Sequence, residues 1–201
     1  RRGGILMNCF NEKEFENICD IFHVIPKVEE KTIKYADGSF FNKMKRSVQN
    51  DRRGEVVFCV IRPSGKIITV TCNDYPSGIY RIPTGGIGYN EDIVTAVYRE
   101  TREELGLDVE ISKFAGVIKI RFEHGNEHVM FYSYLFILKE TGGKLLIDAS
   151  DDEVSEVMEV DVNGLEKISN SLADIHGRWR DWGKFRHVTT NAVYEYLKQN
   201  M

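Results

Sequence analysis

"GGIGYNEDIVTAVYRETREELGL", residues 85–107, decides how the rest of the chain is read. Its later part crowds Glu100, Glu103 and Glu104 beside Arg99 and Arg102, then stops at Gly106. Acidic neighbours three or four apart on a helix repel by roughly 0.2–0.5 kcal/mol per pair. Such a run is either an ordinary solvated surface or a place where something positive sits. The apolar positions Ile93, Val94, Val97, Thr101 and Leu105 recur at helical spacing, which predicts a helix over residues 91–105 with that stripe inward. At about 100° per residue, Glu100, Glu103 and Glu104 share an arc of about 100° bordering the stripe. Three hard oxygen donors at the rim of a pocket suit Mg²⁺ or Mn²⁺, and such a cation offsets their repulsion. Arg99 reaches Glu103 one turn on and helps fix its rotamer. Gly106 is expected to end the helix with positive φ.

The fixed letters of the run are G-x5-E-x7-R-E-x2-E-E-x-G, met by Gly85, Glu91, Arg99, Glu100, Glu103, Glu104 and Gly106. Seven specified positions match by chance in on the order of one in a million chains of this length. This spacing resembles the box of the Nudix hydrolases, with Thr101 standing where that family usually has a bulky aliphatic residue. The resemblance spans about Glu55 to Val160 and implies an α/β Nudix fold, a mixed sheet between helices. It also implies hydrolysis of a nucleoside diphosphate linked to another group, with water attacking phosphorus and Mg²⁺ or Mn²⁺ polarising the diphosphate. Under it, Glu100, Glu103 and Glu104 are metal ligands and catalytic candidates, one of them doubling as base, with Glu91, Arg99 and Gly106 as support. Gly85 and Gly86 are expected to turn the backbone tightly and leave room beside the phosphates, and Arg81 just before them is assigned with them to substrate binding. A further acid outside the box often serves in the family. Glu153 in "ASDDEVSE" is preferred for that role over Glu123 in "RFEHGNEH", a solvent-facing loop carboxylate being the plain alternative.

Bulk numbers fit this reading. The chain has 201 residues, 42% of them hydrophobic, and a net charge of −4. That is enough apolar material for a core, and no basic field calls for nucleic acid. Four cysteines (Cys9, Cys19, Cys59, Cys72) form no CxxC pair, so free thiols and a reducing, cytoplasmic location are expected. The apolar run "FYSYLFIL" (131–138) is far too short to span a membrane, and no secretory signal is read. Met7 is a candidate natural start with a foreign remnant before it.

Along the chain, residues 10–25 carry a helix signature: Asn11 as N-cap, Glu14 three later, and Phe10 stapled to Phe15. "KTIKYADGSFFNKM" (31–44) reads as a hairpin around Asp37-Gly38. Residues 1–50 are therefore taken as an N-terminal extension of helix plus hairpin, and 51–201 as the Nudix domain with its C-terminal helices. "EVVFCVI" (55–61) and "KIITVTC" (66–72) read as buried strands, "IYRI" (79–82) as a short one, then strands near 108–122, 129–139 and 153–160. Helices are expected at 164–174 and 188–199.

Substrate identity is less legible. "DYPSGIYRIPTGGI" (74–87) resembles the run before the box in ADP-ribose and nucleotide-sugar pyrophosphatases, and "KTIKYADGS" resembles their extension used in dimer pairing. A small nucleotide substrate and a homodimer through the extension are expected on that ground. The proline which that group carries after the box is absent. "HGRWRDWGKFRH" (176–187) offers tryptophans to stack a base and cations to hold a phosphate. The plainer expectation is that the tryptophans pack the last helix or a subunit contact and the charges are solvated. The second class of reading is a Nudix-fold sensor that binds a nucleotide without cleaving it, and a third is an isoprenoid-diphosphate isomerase. Retention of every box acid favours the hydrolase.

Overall fold

A computed structural model describes residues 8–200. Met7 and the residues before it lie outside them. The elements are α1 (Glu12–Phe22), β1 (Lys27–Lys34), α2 (Gly38–Asn50), β2 (Gly54–Ile61), β3 (Ile67–Thr71), β4 (Thr84–Ile87) and α3 (Ile93–Glu100). A π-helical turn (Thr101–Leu105) leads into β5 (Leu107–His124), β6 (Glu127–Gly143), β7 (Glu156–Val160), α4 (Val162–Ala173) and α5 (Arg180–Asn200).

The seven strands form one mixed sheet in the order β1-β5-β6-β2-β3-β7, with β4 paired to β2 off that path. β2 is its centre. It pairs in parallel with β6 and antiparallel with β3 and β4. Both its faces are covered, which is why "EVVFCVI" shows no polar alternation. Val56, Phe58 and Val60 point into one apolar layer with α1 and α3. Val57 and Cys59 point into the other, beneath α2 and α5. Cys59 is a fully buried free thiol, and no described helix is long and apolar enough to cross a membrane.

α1 starts where its cap requires. The Asn11 side chain accepts the Glu14 amide at 3.0 Å, and Phe10 and Phe15 meet at 5.7 Å between ring centroids. The stretch 31–44 departs from the hairpin expectation. Lys27–Lys34 is a strand that pairs in parallel with β5, so the extension completes the sheet's edge. Asp37-Gly38 is a helix start: the Asp37 carboxylate accepts the Ser39 amide at 2.7 Å. Phe41 and Val48 then bury one face of α2, with Phe40 and Met44 packed beside them. Aspartate and glycine serve both hairpin turns and helix N-termini, and the apolar spacing downstream decides for the helix. "IYRI" keeps only an isolated bridge between Arg81 and Val70.

Candidate active site

The box helix is anchored as its periodicity requires: Ile93, Val97, Thr101 and Leu105 are fully buried. Regular helix stops at Glu100, and residues 101–105 widen into a π-helical turn. Such turns often occur at functional sites. Thr101 is accommodated because its hydroxyl donates to the Val97 carbonyl at 2.7 Å. Gly106 closes the turn at φ 70°.

Arg99 is the hub. Its guanidinium donates to both Glu91 carboxylate oxygens (2.6 and 2.9 Å), Glu100 (2.7 Å), Glu103 (2.9 Å) and the Gly86 carbonyl (2.9 Å). Hydrogen bonding to Arg99 holds the Glu91 carboxyl below its ordinary value. Glu91 also accepts the Gly88 amide at 3.1 Å. The loop is held from the other side by Arg53, which donates to the Gly88 and Glu91 carbonyls at 2.9 and 2.7 Å. Arg53 is itself gripped by Glu14 of α1 through two bonds of 2.7 and 2.8 Å. Glu14→Gln should therefore lower stability by about 1–3 kcal/mol, because a mostly buried charged partnership loses one member. A urea melt at neutral pH reads the change, and no change would remove α1 from the support of this loop.

Beside the box lies a cavity of about 540 Å³. Glu100, Glu104, Glu153, Arg81, Gly85 and Gly86 all line it; Glu103 does not. Glu123 is also away from it, at the far end of β5 and paired with Arg121. Glu104 is buried, and its Oε2 has no hydrogen-bond partner among the described residues. Burial, with Glu100, Glu153 and Asp151 nearby, pushes its carboxyl up to about 8 against the pull of Arg81. Burial likewise raises Glu100, which Arg99 opposes. Arg81 is fixed by the Tyr75 hydroxyl (2.8 Å), the Ile82 carbonyl (3.0 Å) and the Thr84 hydroxyl (3.1 Å).

The glycine pair departs from expectation. Gly85 and Gly86 lie in the extended strand β4, not in a tight turn. Their smallness serves close approach: a Cβ on Gly85 would overlap the Glu100 side chain, and one on Gly86 would sit 3.3 Å from Arg52 Nε.

The three glutamates fit a divalent cation in part. Their oxygens are the right donors, and the orphaned, buried Glu104 oxygen beside Glu100 is what a cation would satisfy. Among the described residues, however, no three acidic, imidazole or thiol groups are already gathered around one point. Arg99 occupies one oxygen each of Glu100 and Glu103 instead.

Residues from outside the box complete the cavity. Trp179, Trp182 and Tyr75 form an aromatic wall, with Tyr75 and Trp182 at 4.5 Å and the two tryptophans at 5.2 Å between centroids. The segment 176–187 thus lines the cavity as well as packing α5. Arg178, Arg180 and Lys184 are exposed, as expected of solvated charges, but Arg186 is buried. Arg52 and Glu55 were not singled out by the sequence reading. The available signal was a glutamate opening a strand that is otherwise wholly apolar.

Residues 51–182 match the family model of the NUDIX domain. The chain belongs to the Nudix family. This Nudix pyrophosphohydrolase is 28% identical over 126 residues to the "ADP-ribose pyrophosphatase" of Methanocaldococcus jannaschii, covering 61% of this chain and 72% of that protein. It is 31% identical over 90 residues to "Nudix hydrolase 8" of Arabidopsis thaliana, covering 43% of this chain and only 23% of that one. Among solved structures, a NUDIX hydrolase from Nitrosomonas europaea superposes with a TM-score of 0.50 at 12% identity, covering 73% of this chain and 90% of that one. A Listeria monocytogenes protein described as a NUDIX hydrolase gives 0.50 at 18%, covering 73% and 95%. Those two establish the likeness of fold.

Proposed function

We propose that this Nudix hydrolase cleaves the diphosphate of a nucleoside diphosphate linked to a second group, with ADP-ribose the first substrate to test. The observation that carries the reading is the buried, unpartnered Glu104 oxygen facing a cavity walled by arginines and aromatic rings. The name of the archaeal relative supports ADP-ribose as the starting point.

In this reading Glu100, Glu103 and Glu104 would hold Mg²⁺ or Mn²⁺, Glu100 and Glu103 through the oxygens that Arg99 does not occupy or by giving up part of that contact. When bound, the cation polarises the diphosphate and lowers the pKa of an attacking water. Glu153, on the cavity wall near Glu104, takes up the water's proton as general base. Arg81, held rigidly by Tyr75 and Thr84, faces the developing negative charge. Gly85 and Gly86 let the diphosphate lie close to β4. Glu91, Arg99 and Gly106 keep the loop and turn in register. The aromatic wall of Tyr75, Trp179 and Trp182 offers a face on which a base stacks, which favours a nucleotide over inorganic diphosphate.

The test is a panel of ADP-ribose, nucleotide sugars, dinucleoside polyphosphates and oxidised nucleoside triphosphates with Mg²⁺ or Mn²⁺, products identified by mass. Release of a nucleoside monophosphate from at least one diphosphate-linked substrate is expected. Tight binding of one member without turnover of any would overturn the hydrolytic reading.

A further inference from the structure

Two arginines that line the same cavity, Arg52 and Arg186, belong to an ion cluster that the proposed chemistry leaves unused. Glu55 of β2 is completely buried. It accepts Arg186 Nη1 of α5 at 3.0 Å, Arg52 Nη2 at 3.4 Å and the Ser133 hydroxyl at 2.9 Å. Burial alone would raise its carboxyl; the two arginines and Ser133 outweigh that and hold it below its ordinary value.

The arginines are not satisfied in return. Two guanidinium groups against one carboxylate leave a net positive charge. Arg186 is 7% exposed and donates, among the described residues, to Glu55 alone. The Nε atoms of both Arg186 and Arg52 are buried without a partner among the described residues. A guanidinium carries several donors in a rigid fork, and leaving them unmet in a buried setting is costly. Both residues line the cavity. The glycine contacts also place Arg52 against Gly86 and Glu100 against Gly85, neighbouring residues of β4.

Resting on the proposed diphosphate substrate, we infer that Arg52 and Arg186, bridged by Glu55, form a fixed anion subsite. It takes a phosphoryl group of the substrate. Planar guanidinium groups pair with phosphoryl oxygens two at a time. Glu55 fixes their orientation before the ligand arrives and cancels only one of the two charges. A plain structural ion pair joining β2 to α5 would need neither the second arginine nor the unspent donors.

The experiment uses the full chain in EDTA with inorganic pyrophosphate titrated by calorimetry. Wild type should bind pyrophosphate without metal. Arg52→Gln, at a partly exposed position, should weaken that binding about tenfold or more. The paired change Glu55→Gln with Arg186→Gln removes both charges together, avoiding an unpaired buried carboxylate, and should weaken binding at least as much. Circular dichroism melts verify folding, and Arg52→Gln decides the matter if the double variant does not fold. Unchanged binding in a folded variant, or no metal-free binding by wild type, would overturn the subsite. KM for a diphosphate-linked substrate and for a nucleoside triphosphate then separates two sources of the anion. A rise for both places the shared diphosphate there, a rise for the triphosphate alone places the terminal phosphate there, and no rise for either overturns the subsite. Glu104→Gln distinguishes the two readings, since it should lose turnover yet keep metal-free pyrophosphate binding. If it stays active, the hydrolytic roles fall and the subsite stands.

Discussion

Glu104→Gln should cut turnover by a factor of at least about 100 while making the metal-free protein more stable at pH 8. The two effects have one cause. A glutamine keeps the shape but loses the negative charge that a divalent ion requires. In the metal-free protein that same charge is a burden, because the carboxylate is buried and its Oε2 has no partner among the described residues. Its folded-state value of about 8 lies above its ordinary 4.5. The folded chain therefore holds this proton more tightly than the unfolded chain. The associated stability is complete below the ordinary carboxylate range and is lost as pH rises through about 8. Near pH 8 the metal-free wild type should fall behind the glutamine variant by roughly 2–4 kcal/mol. Thermal melts in EDTA at pH 5 and pH 8 read this directly. Equal stability of the two proteins at both pH values would show that Glu104 is not the strained group described, and full activity in the variant would remove it from the ligand set.

The second large effect concerns two neighbouring glycines with unequal consequences. Gly85→Ala should reduce turnover by about 100-fold and destabilise the fold by about 1–3 kcal/mol, the usual range for overpacking. The new methyl would occupy the space of the Glu100 side chain, and a cavity-lining carboxylate must then move. Gly86→Ala meets only the Arg52 side chain, at 3.3 Å from Nε, and should destabilise the fold far less. Neither position has positive φ, so backbone strain does not confuse the comparison. Steady-state kinetics with a denaturant melt on both variants is the check. Equal losses of stability at the two positions would contradict the close packing of β4 on Glu100.

Local order was readable where short-range chemistry decides it. The Asn11 cap, the buried stripe of the box helix and the strands β5 and β6 all follow from contacts within a few residues or from strand pattern. Positive φ at Gly106 was legible for the same reason. α2 was not, because Asp37-Gly38 permits a hairpin turn or a helix start. Only burial of Phe41 and Val48 against the sheet selects the helix. The Gly85-Gly86 pair was legible as a need for small residues but not as strand, since its pairing partner is β2. Least legible was the Glu55 cluster. Arg186 lies 131 residues from Glu55, and nothing local to either announces the other. Glu153 was named through the family resemblance, not from local pattern, and Tyr75 reaches the cavity through a loop whose position depends on the assembled sheet.

The most direct measurement is calorimetric titration of the metal-free chain with Mn²⁺ at pH 7, repeated in two buffers of different ionisation enthalpy. Binding must displace the proton that Glu104 holds at that pH. Uptake of the ion with release of about one proton is therefore expected. No binding, or binding with no proton released, would contradict the assignment of Glu104 as a buried ligand of the catalytic cation.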